Sequence, residues 1–378
     1  MHLLGRTGLC TSTSLYRNIN QPLNNDTMKT IKFFAALLFI SNISFGQDYS
    51  KKIDSIIKAS SEKNPDVGIS VGFISKNQEF YTSYGKLSKE SPVDIDKHSI
   101  FEIASITKIL TGNMIAQAAI EKKLKSDDYI DSFLPKQYVL QKNLRNKVKI
   151  SDLASHQAGL PDIDFQKLIA EDSQQPINSV TEQSLATMIN NSTDLIDYGK
   201  YRYSTVNMTL LGQILEKIYG KSYDAIIREK ILKPAKMSET LTKKFDVKNR
   251  TTGYNPEGGV QEFFLWNVTA PAGLVKSNAS DMVKYLKMLL QKGNSISDAA
   301  LLMEKVYYKD EKREMGLGLN ISNNEGQIIY AKSGDSMGQS SILCYNRAKN
   351  WGIIILLNKR DSKLRQTMLN DIYENVLK

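Results

Sequence analysis

Phe101-Glu102-Ile103-Ala104-Ser105-Ile106-Thr107-Lys108 is the stretch from which the rest of this chain is read. Its last four residues open a segment with helical spacing: Ile106, Ile109, Leu110, Ile115, Ala118 and Ala119 recur up to about Lys123. An amphipathic helix from Ser105 puts Ser105 and Lys108 three residues apart on one face, where side chains meet. A serine hydroxyl is a poor nucleophile until a base takes its proton, and a lysine with a lowered pKa can be that base. The helix start adds unpaired N–H groups and a positive dipole end, which favour the negative charge that develops during attack. A helix cap beside a solvated lysine is the bland reading of the same residues. The rest of the chain decides between them, by supplying the other parts of an acyl-transfer site or failing to.

At 378 residues the chain can bury a large core, or two sub-domains sharing one. Its 24% charged and 41% hydrophobic residues are those of a soluble globular protein. From Met28, Lys29 and Lys32 form a basic start and Phe33 to Ile40 an apolar run too short to span a membrane. Ser44-Phe45-Gly46 then places small residues ahead of a cut before Gln47, and residues 1–27 lack this character, which leaves both Met1 and Met28 open as the start. The expectation is an upstream extension and signal peptide over residues 1–46, and a mature domain over 47–378. It carries with it a periplasmic or secreted location, and no stable membrane span once the leader is gone.

The 50 basic and 40 acidic residues leave a net charge of +10. The leader holds Arg6, Arg17, Lys29 and Lys32 against Asp26, so the mature excess is milder. No long basic run interleaved with aromatics is present, and no nucleic-acid partner is expected. Cys10 goes with the leader, which leaves Cys344 as a lone buried small hydrophobe in a core strand. Of the 3 histidines, His2 lies in the leader, His98 in a polar turn, and His156 beside Gly159-Leu160-Pro161, where it shapes a loop at the cleft. A Ser-His-Asp mechanism and a zinc site are both poorly supplied, and neither metal nor cofactor is expected.

The mature part opens with a helix over roughly Tyr49 to Ser60. Val67 to Ser75 and Glu79 to Tyr84 read as strands joined by a Lys76-Asn77-Gln78 turn. Helical patterns and loops dominate the middle; the clearest helix runs from Val206 to Tyr219 and stops at Gly220, and another spans Ser280 to Leu290. The tail returns to strands at Gln327 to Lys332, Ser340 to Asn346 and Gly352 to Leu357, then ends in a helix from Ser362. An α+β fold follows, with an antiparallel sheet from 47–100 and 291–378 and a mostly helical insertion over 101–290.

Further along lie Tyr201-Arg202-Tyr203-Ser204-Thr205-Val206-Asn207, Leu210-Leu211-Gly212 and Lys332-Ser333-Gly334-Asp335-Ser336-Met337-Gly338. The chain thus offers S-x-x-K, then Y-S, then K-S-G. With Asp127-Asp128, Leu134-Pro135, Leu153 to Pro161, Pro271-Ala272-Gly273-Leu274 and Gly316-Leu317-Gly318, this order resembles the penicillin-recognising serine hydrolases. These are class C-like β-lactamases, D-alanyl-D-alanine carboxypeptidases and related esterases, and the resemblance covers nearly all of the mature chain.

The resemblance implies a β-lactamase/transpeptidase-like fold and a role for each matched position. Ser105 would form the acyl-enzyme, and Lys108 would take or relay its proton with the Tyr203 phenol. A phenol of pKa about 10 in water needs the nearby cations Lys108 and Lys332 to act as a base. Lys332 and Ser333 would hold the substrate's anionic group, and the N–H groups of Ser105 and Asp335, the latter following Gly334, would form an oxyanion hole. Two positions depart from the family. Thr205 stands where many relatives have Asn, with Asn207 close by. Asp335 is the second: a substrate carboxylate at about 4 Å from it would be repelled by ~4 kcal/mol at an effective dielectric of 20, whereas a side chain turned away by strand alternation would leave only its N–H to matter.

The reading is an exported serine hydrolase acting on a small molecule or cell-wall peptide, first of all a cyclic amide as in a class C-like β-lactamase. A D-alanyl-D-alanine carboxypeptidase, a small-ester esterase and a non-catalytic penicillin-binding or sensor module are the alternatives.

Overall fold

The computed structural model describes residues 49–378. The expected leader, its cut before Gln47 and both candidate starts lie outside the described residues.

The run Trp351-Gly352-Ile353-Ile354-Ile355-Leu356-Leu357 shows how the fold is built. As a strand its side chains alternate between two faces, yet every residue is buried, so both faces must be covered. Ile353, Ile355 and Leu357 pack with Ile53 and Ile57 of helix α1 (residues 49–63) and with Met368 and Ile372 of helix α6 (Ser362–Ile372). Ile354 and Leu356 face the opposite way, into a larger core shared with the helical middle of the chain.

This strand, β8, lies third in an eight-stranded sheet. The others are β1 (Ile69–Ser75), β2 (Gln78–Tyr84), β3 (Tyr308–Lys309), β4 (Glu314–Met315), β5 (Asn320–Asn324), β6 (Gln327–Asp335) and β7 (Ser340–Asn346), in the order β2-β1-β8-β7-β6-β5-β4-β3. All neighbours are antiparallel, and Ile69 opposite Leu357 joins the two ends of the chain. The sheet is the expected one, from both chain ends. Cys344 is buried in β7 at 3% exposure, where burial pushes its thiol up to about 12.

The differences have local causes. The first hairpin turns on two residues, Lys76 and Asn77, both at positive φ, the geometry that matches strand twist, so β2 begins at Gln78. β6 runs on to Asp335 because Gly334 and Asp335 still pair with Ser341 and Ser340. β5 went unread because only Ile321 of its five residues is buried, which leaves no alternation to see. Helix α5 (Ser295–Met303) falls within the segment expected to supply sheet. Asn294 caps it, accepting from the N–H of Ser297 at 3.0 Å, and its Ile296 carbonyl accepts from Asn113 of the central helix at 3.0 Å.

That central helix, α2 (Thr107–Ile120), is not amphipathic. Every residue from Thr107 to Ala118 is buried, as expected of a helix enclosed on all sides. Its neighbours come very close. A Cβ on Gly112 would stand 2.0 Å from the Leu317 carbonyl, and one on Gly318 would stand 2.3 Å from the Lys108 carbonyl. Helix α3 (Thr205–Tyr219) and helix α4 (Ala279–Leu290) match the expected segments, and α3 ends at Gly220 in the left-handed conformation. Among the described residues no helix is long and apolar enough to cross a membrane.

Candidate active site

Ser105 is carried by a single turn of 3-10 helix, Ala104–Ile106, that leads into α2. Ala104 takes a positive φ of 43°, a conformation that L residues adopt at a cost, and the turn lifts Ser105 to the floor of a cleft. The rim of the cleft includes β6. A Cβ on Gly334 would stand 2.4 Å from the Ile103 carbonyl and 3.0 Å from the Ser105 nitrogen. Gly334 therefore does not line the cleft; it lets the strand end lie against the serine turn.

Two groups meet the Ser105 hydroxyl. The Tyr203 hydroxyl is 2.6 Å from Oγ, and Lys108 Nζ donates to Oγ at 3.1 Å. Lys108 also donates to the Ala272 carbonyl at 2.5 Å. Its amine is sealed from water, and burial pulls its pKa down to about 7, against the opposing pull of Asp162. Lys332 on β6 is buried as well, and burial likewise lowers its pKa. The two ammonium groups flank the Tyr203 ring, with Nζ 4.8 and 4.9 Å from its centroid. Tyr203 is held just ahead of α3, whose cap is Ser204: its hydroxyl accepts from the Asn207 N–H at 3.0 Å.

Ser333, Thr205 and Asp335 line the cleft with Ser105, Lys108, Tyr203 and Lys332. Asn207 does not. It is 2% exposed and faces inward from α3, its Oδ1 without a hydrogen-bond partner among the described residues. The Asp335 carboxylate is already engaged, accepting from Arg365 Nη1 at 2.6 Å and from Ser340 Oγ at 2.6 Å.

His156 is fully buried behind Tyr203, its ring centroid 4.7 Å away. Its Nδ1 accepts from the Ser204 N–H at 3.3 Å, and burial holds its pKa well below the ordinary value. A neutral ring that supports a tyrosine fits the loop-shaping expectation and not the role of a base.

Sequence reasoning missed Asp162, which lines the cleft. Its carboxylate accepts from the N–H groups of Val206 at 3.0 Å and Thr205 at 3.1 Å, a favourable place for an anion at a helix start. It also missed the apolar wall of Ile163, Phe165, Ile177, Phe264 and Leu274, within a cleft of about 540 Å³. Behind that wall Lys276, fully buried, donates to the carbonyls of Phe264 at 2.6 Å and Leu274 at 3.1 Å, and stands 3.4 Å from Glu102.

A hydroxyl placed between a phenol and an amine whose pKa burial brings down to about 7, beside an apolar trough, is equipped for nucleophilic attack on a carbonyl. Comparison with known proteins gives the family and the fold. The family model described as beta-lactamase matches residues 53–375. Protein flp of Staphylococcus aureus (strain MW2) is 24% identical over 325 residues, covering 82% of this chain and 63% of flp, so the chain spans less than two thirds of that relative. Among solved structures, the octameric penicillin-binding protein homologue from Pyrococcus abyssi is 25% identical with a TM-score of 0.74, covering 86% of this chain and 76% of the other. The beta-lactamase/D-alanine carboxypeptidase from Pseudomonas syringae superposes with a TM-score of 0.75 at 18% identity, covering 87% of this chain and 98% of the other.

Proposed function

The chain belongs to the beta-lactamase family, and from that premise we propose that it is an exported serine hydrolase that turns over its substrate through an acyl-enzyme on Ser105. The observation that carries this reading is the junction of three side chains at one oxygen: Ser105 Oγ lies 2.6 Å from the Tyr203 hydroxyl and 3.1 Å from Lys108 Nζ.

In the proposed reaction Oγ attacks the carbonyl carbon of a strained amide, peptide or ester, while its proton passes to Lys108, directly or through Tyr203. A lysine with a pKa of about 7 is substantially unprotonated near neutral pH, so it can take a proton without a carboxylate or imidazole partner. The N–H groups of Ser105 and Asp335 hold the oxyanion, a contribution typically worth about 10²–10³ in rate per donor. Collapse of the tetrahedral intermediate expels the leaving group with that proton. Water, with its proton taken by the same Tyr203 and Lys108, then attacks the ester, and that proton returns to Ser105 Oγ as the acid departs. Lys332 and Ser333 bind the part of the substrate that lies along β6. The activity belongs to the β-lactamase and D-alanyl-D-alanine carboxypeptidase type, with a cyclic amide as the first substrate to test. Export rests on the leader-like residues 28–46.

A chromogenic cephalosporin, intact-mass analysis and a panel of p-nitrophenyl esters test the reading together. Colour with no lasting adduct supports a β-lactamase, and ester turnover alone supports an esterase. A persistent adduct on Ser105 supports a binding or sensor module. Turnover that survives Ser105→Ala overturns the whole assignment.

A further inference from the structure

Ser333 and Asp335 are two residues apart on β6 and both line the cleft, as alternation on a strand requires. Beside Asp335 the groups able to hold an anion are Lys332 and Ser333, which line the cleft, and behind Asp335 the guanidinium of Arg365 and the hydroxyl of Ser340. The last two are occupied by the chain itself. Arg365, only 6% exposed, directs Nη1 to Asp335 Oδ1 at 2.6 Å and to the Gly334 carbonyl at 3.3 Å. Ser340 Oγ donates to the same Asp335 oxygen at 2.6 Å and accepts from the Asp361 N–H at 3.0 Å. Asp335 itself keeps 31% of its side chain exposed, so its carboxylate presents negative charge to whatever lies beside Ser333.

We propose that Asp335 is a built-in anion that fills the anion-binding corner of the cleft and makes the enzyme select acyl donors that carry no carboxylate at the β6 end. An incoming carboxylate there meets a guanidinium already paired and the like charge of Asp335, which offsets the attraction of Lys332. A neutral ester or amide meets the Ser333 hydroxyl and the apolar wall of Ile163, Phe165, Ile177 and Phe264. The inference rests on the acyl-enzyme reading, because it concerns which carbonyl compounds reach Ser105.

The test uses two matched pairs of esters. In one, p-nitrophenyl butyrate and p-nitrophenyl hemisuccinate, the carboxylate is on the acyl group. In the other, phenyl butyrate and 3-carboxyphenyl butyrate, it is on the leaving group. The wild-type enzyme should prefer the neutral member of at least one pair by kcat/KM. In that pair Asp335→Asn should raise the relative rate of the carboxylated ester by about tenfold, and Asp335→Glu, which keeps the charge, should leave the ratio near wild type. An unchanged ratio in both pairs for Asp335→Asn overturns the proposal while leaving the hydrolase reading intact. Should Asp335→Asn not fold, competition on the wild type decides. Phenylboronic acid, which forms a tetrahedral adduct with an active serine, should bind more tightly than 3-carboxyphenylboronic acid, and equal or reversed affinity overturns the inference. No turnover of any ester or cephalosporin, no adduct on Ser105 and no boronate binding would instead bring down the acyl-hydrolase reading, and this one with it.

Discussion

Lys108 sets the terms at the scale of single residues. Its amine has a pKa of about 7 in the folded chain and about 10.4 once exposed by unfolding. Between those values the unfolded state holds a proton that the folded state does not, so stability falls as pH drops from about 10.4 to about 7, then levels off. A shift of this size corresponds to roughly 4 kcal/mol at neutral pH, and replacing the amine forfeits about 1–3 kcal/mol at the Ala272 carbonyl it serves. Lys108→Met should therefore abolish turnover yet raise the unfolding free energy by about 2 kcal/mol at pH 7. By about pH 10.5 that gain should have reversed to a loss of about 2 kcal/mol, as read by urea denaturation at both pH values. In the wild type kcat/KM should rise with pH through about 7, because the base works unprotonated; a flat profile there would assign the proton transfer elsewhere. Ser105, Lys108, Tyr203 and Lys332 were readable as residues because each sits in a short motif. Asp162 was not, since its tie to Thr205 and Val206 crosses more than 40 residues with no local pattern. Asn207 misled because it is two places from Thr205, about 200° around the helix, so only one of the two can face the cleft.

At the scale of elements, the site is a meeting of a 3-10 turn, a strand end and a helix start, and its precision depends on how closely they approach. Gly334 is the tightest of these approaches. In Gly334→Ala the added methyl would meet the Ile103 carbonyl at 2.4 Å, a backbone atom with no freedom to swing aside. The strand end must move away from Ser105, which misaligns the N–H groups proposed for the oxyanion. A loss of about 10²-fold or more in kcat is expected, with destabilisation of about 1–3 kcal/mol. Steady-state kinetics beside a thermal melt check it, and an unchanged kcat would mean that this approach does not position the reacting atoms. An element with one clear apolar period was visible in the sequence, as α3 shows, and so was the unbroken apolar run of β8. β5 was hidden by its polar residues, and the enclosure of α2 by the fact that a fully buried helix has no polar stripe to orient it. The final turns of β6, which carry Gly334 and Asp335, look like loop because glycine and aspartate rarely continue a strand; pairing with β7 overrides that tendency.

Across the whole molecule, the cleft exists because the sheet and the helical insertion are locked to each other, and a buried polar chain does much of the locking. Gln339, next to β7, donates to Thr251 at 2.9 Å and accepts from the Glu102 N–H at 2.7 Å. Glu102 accepts from the Phe264 N–H at 2.8 Å and pairs with Lys276 at 3.4 Å. Lys276 in turn holds the carbonyls of Phe264 and Leu274, two residues of the cleft wall. Burial lowers the Lys276 pKa to about 8 despite Glu102, so at neutral pH the ammonium is mostly charged and depends on that one carboxylate. Neither residue stood out in the sequence, because an ion pair linking positions 102 and 276 leaves no local pattern. Glu102→Gln should cost about 3–5 kcal/mol by leaving a charge buried without its partner. Lys276→Met removes the cation and leaves the glutamate with the Phe264 N–H still in place. The double variant should recover part of the loss, with a coupling of about 2–3 kcal/mol in a double-mutant cycle of urea unfolding at pH 7. The same variants should raise KM more than they lower kcat, because the pair orders the wall that receives the acyl group and touches none of the atoms at Ser105. Strict additivity of the two substitutions would show that Glu102 and Lys276 are held in place independently, and that their ion pair does not order the cleft wall.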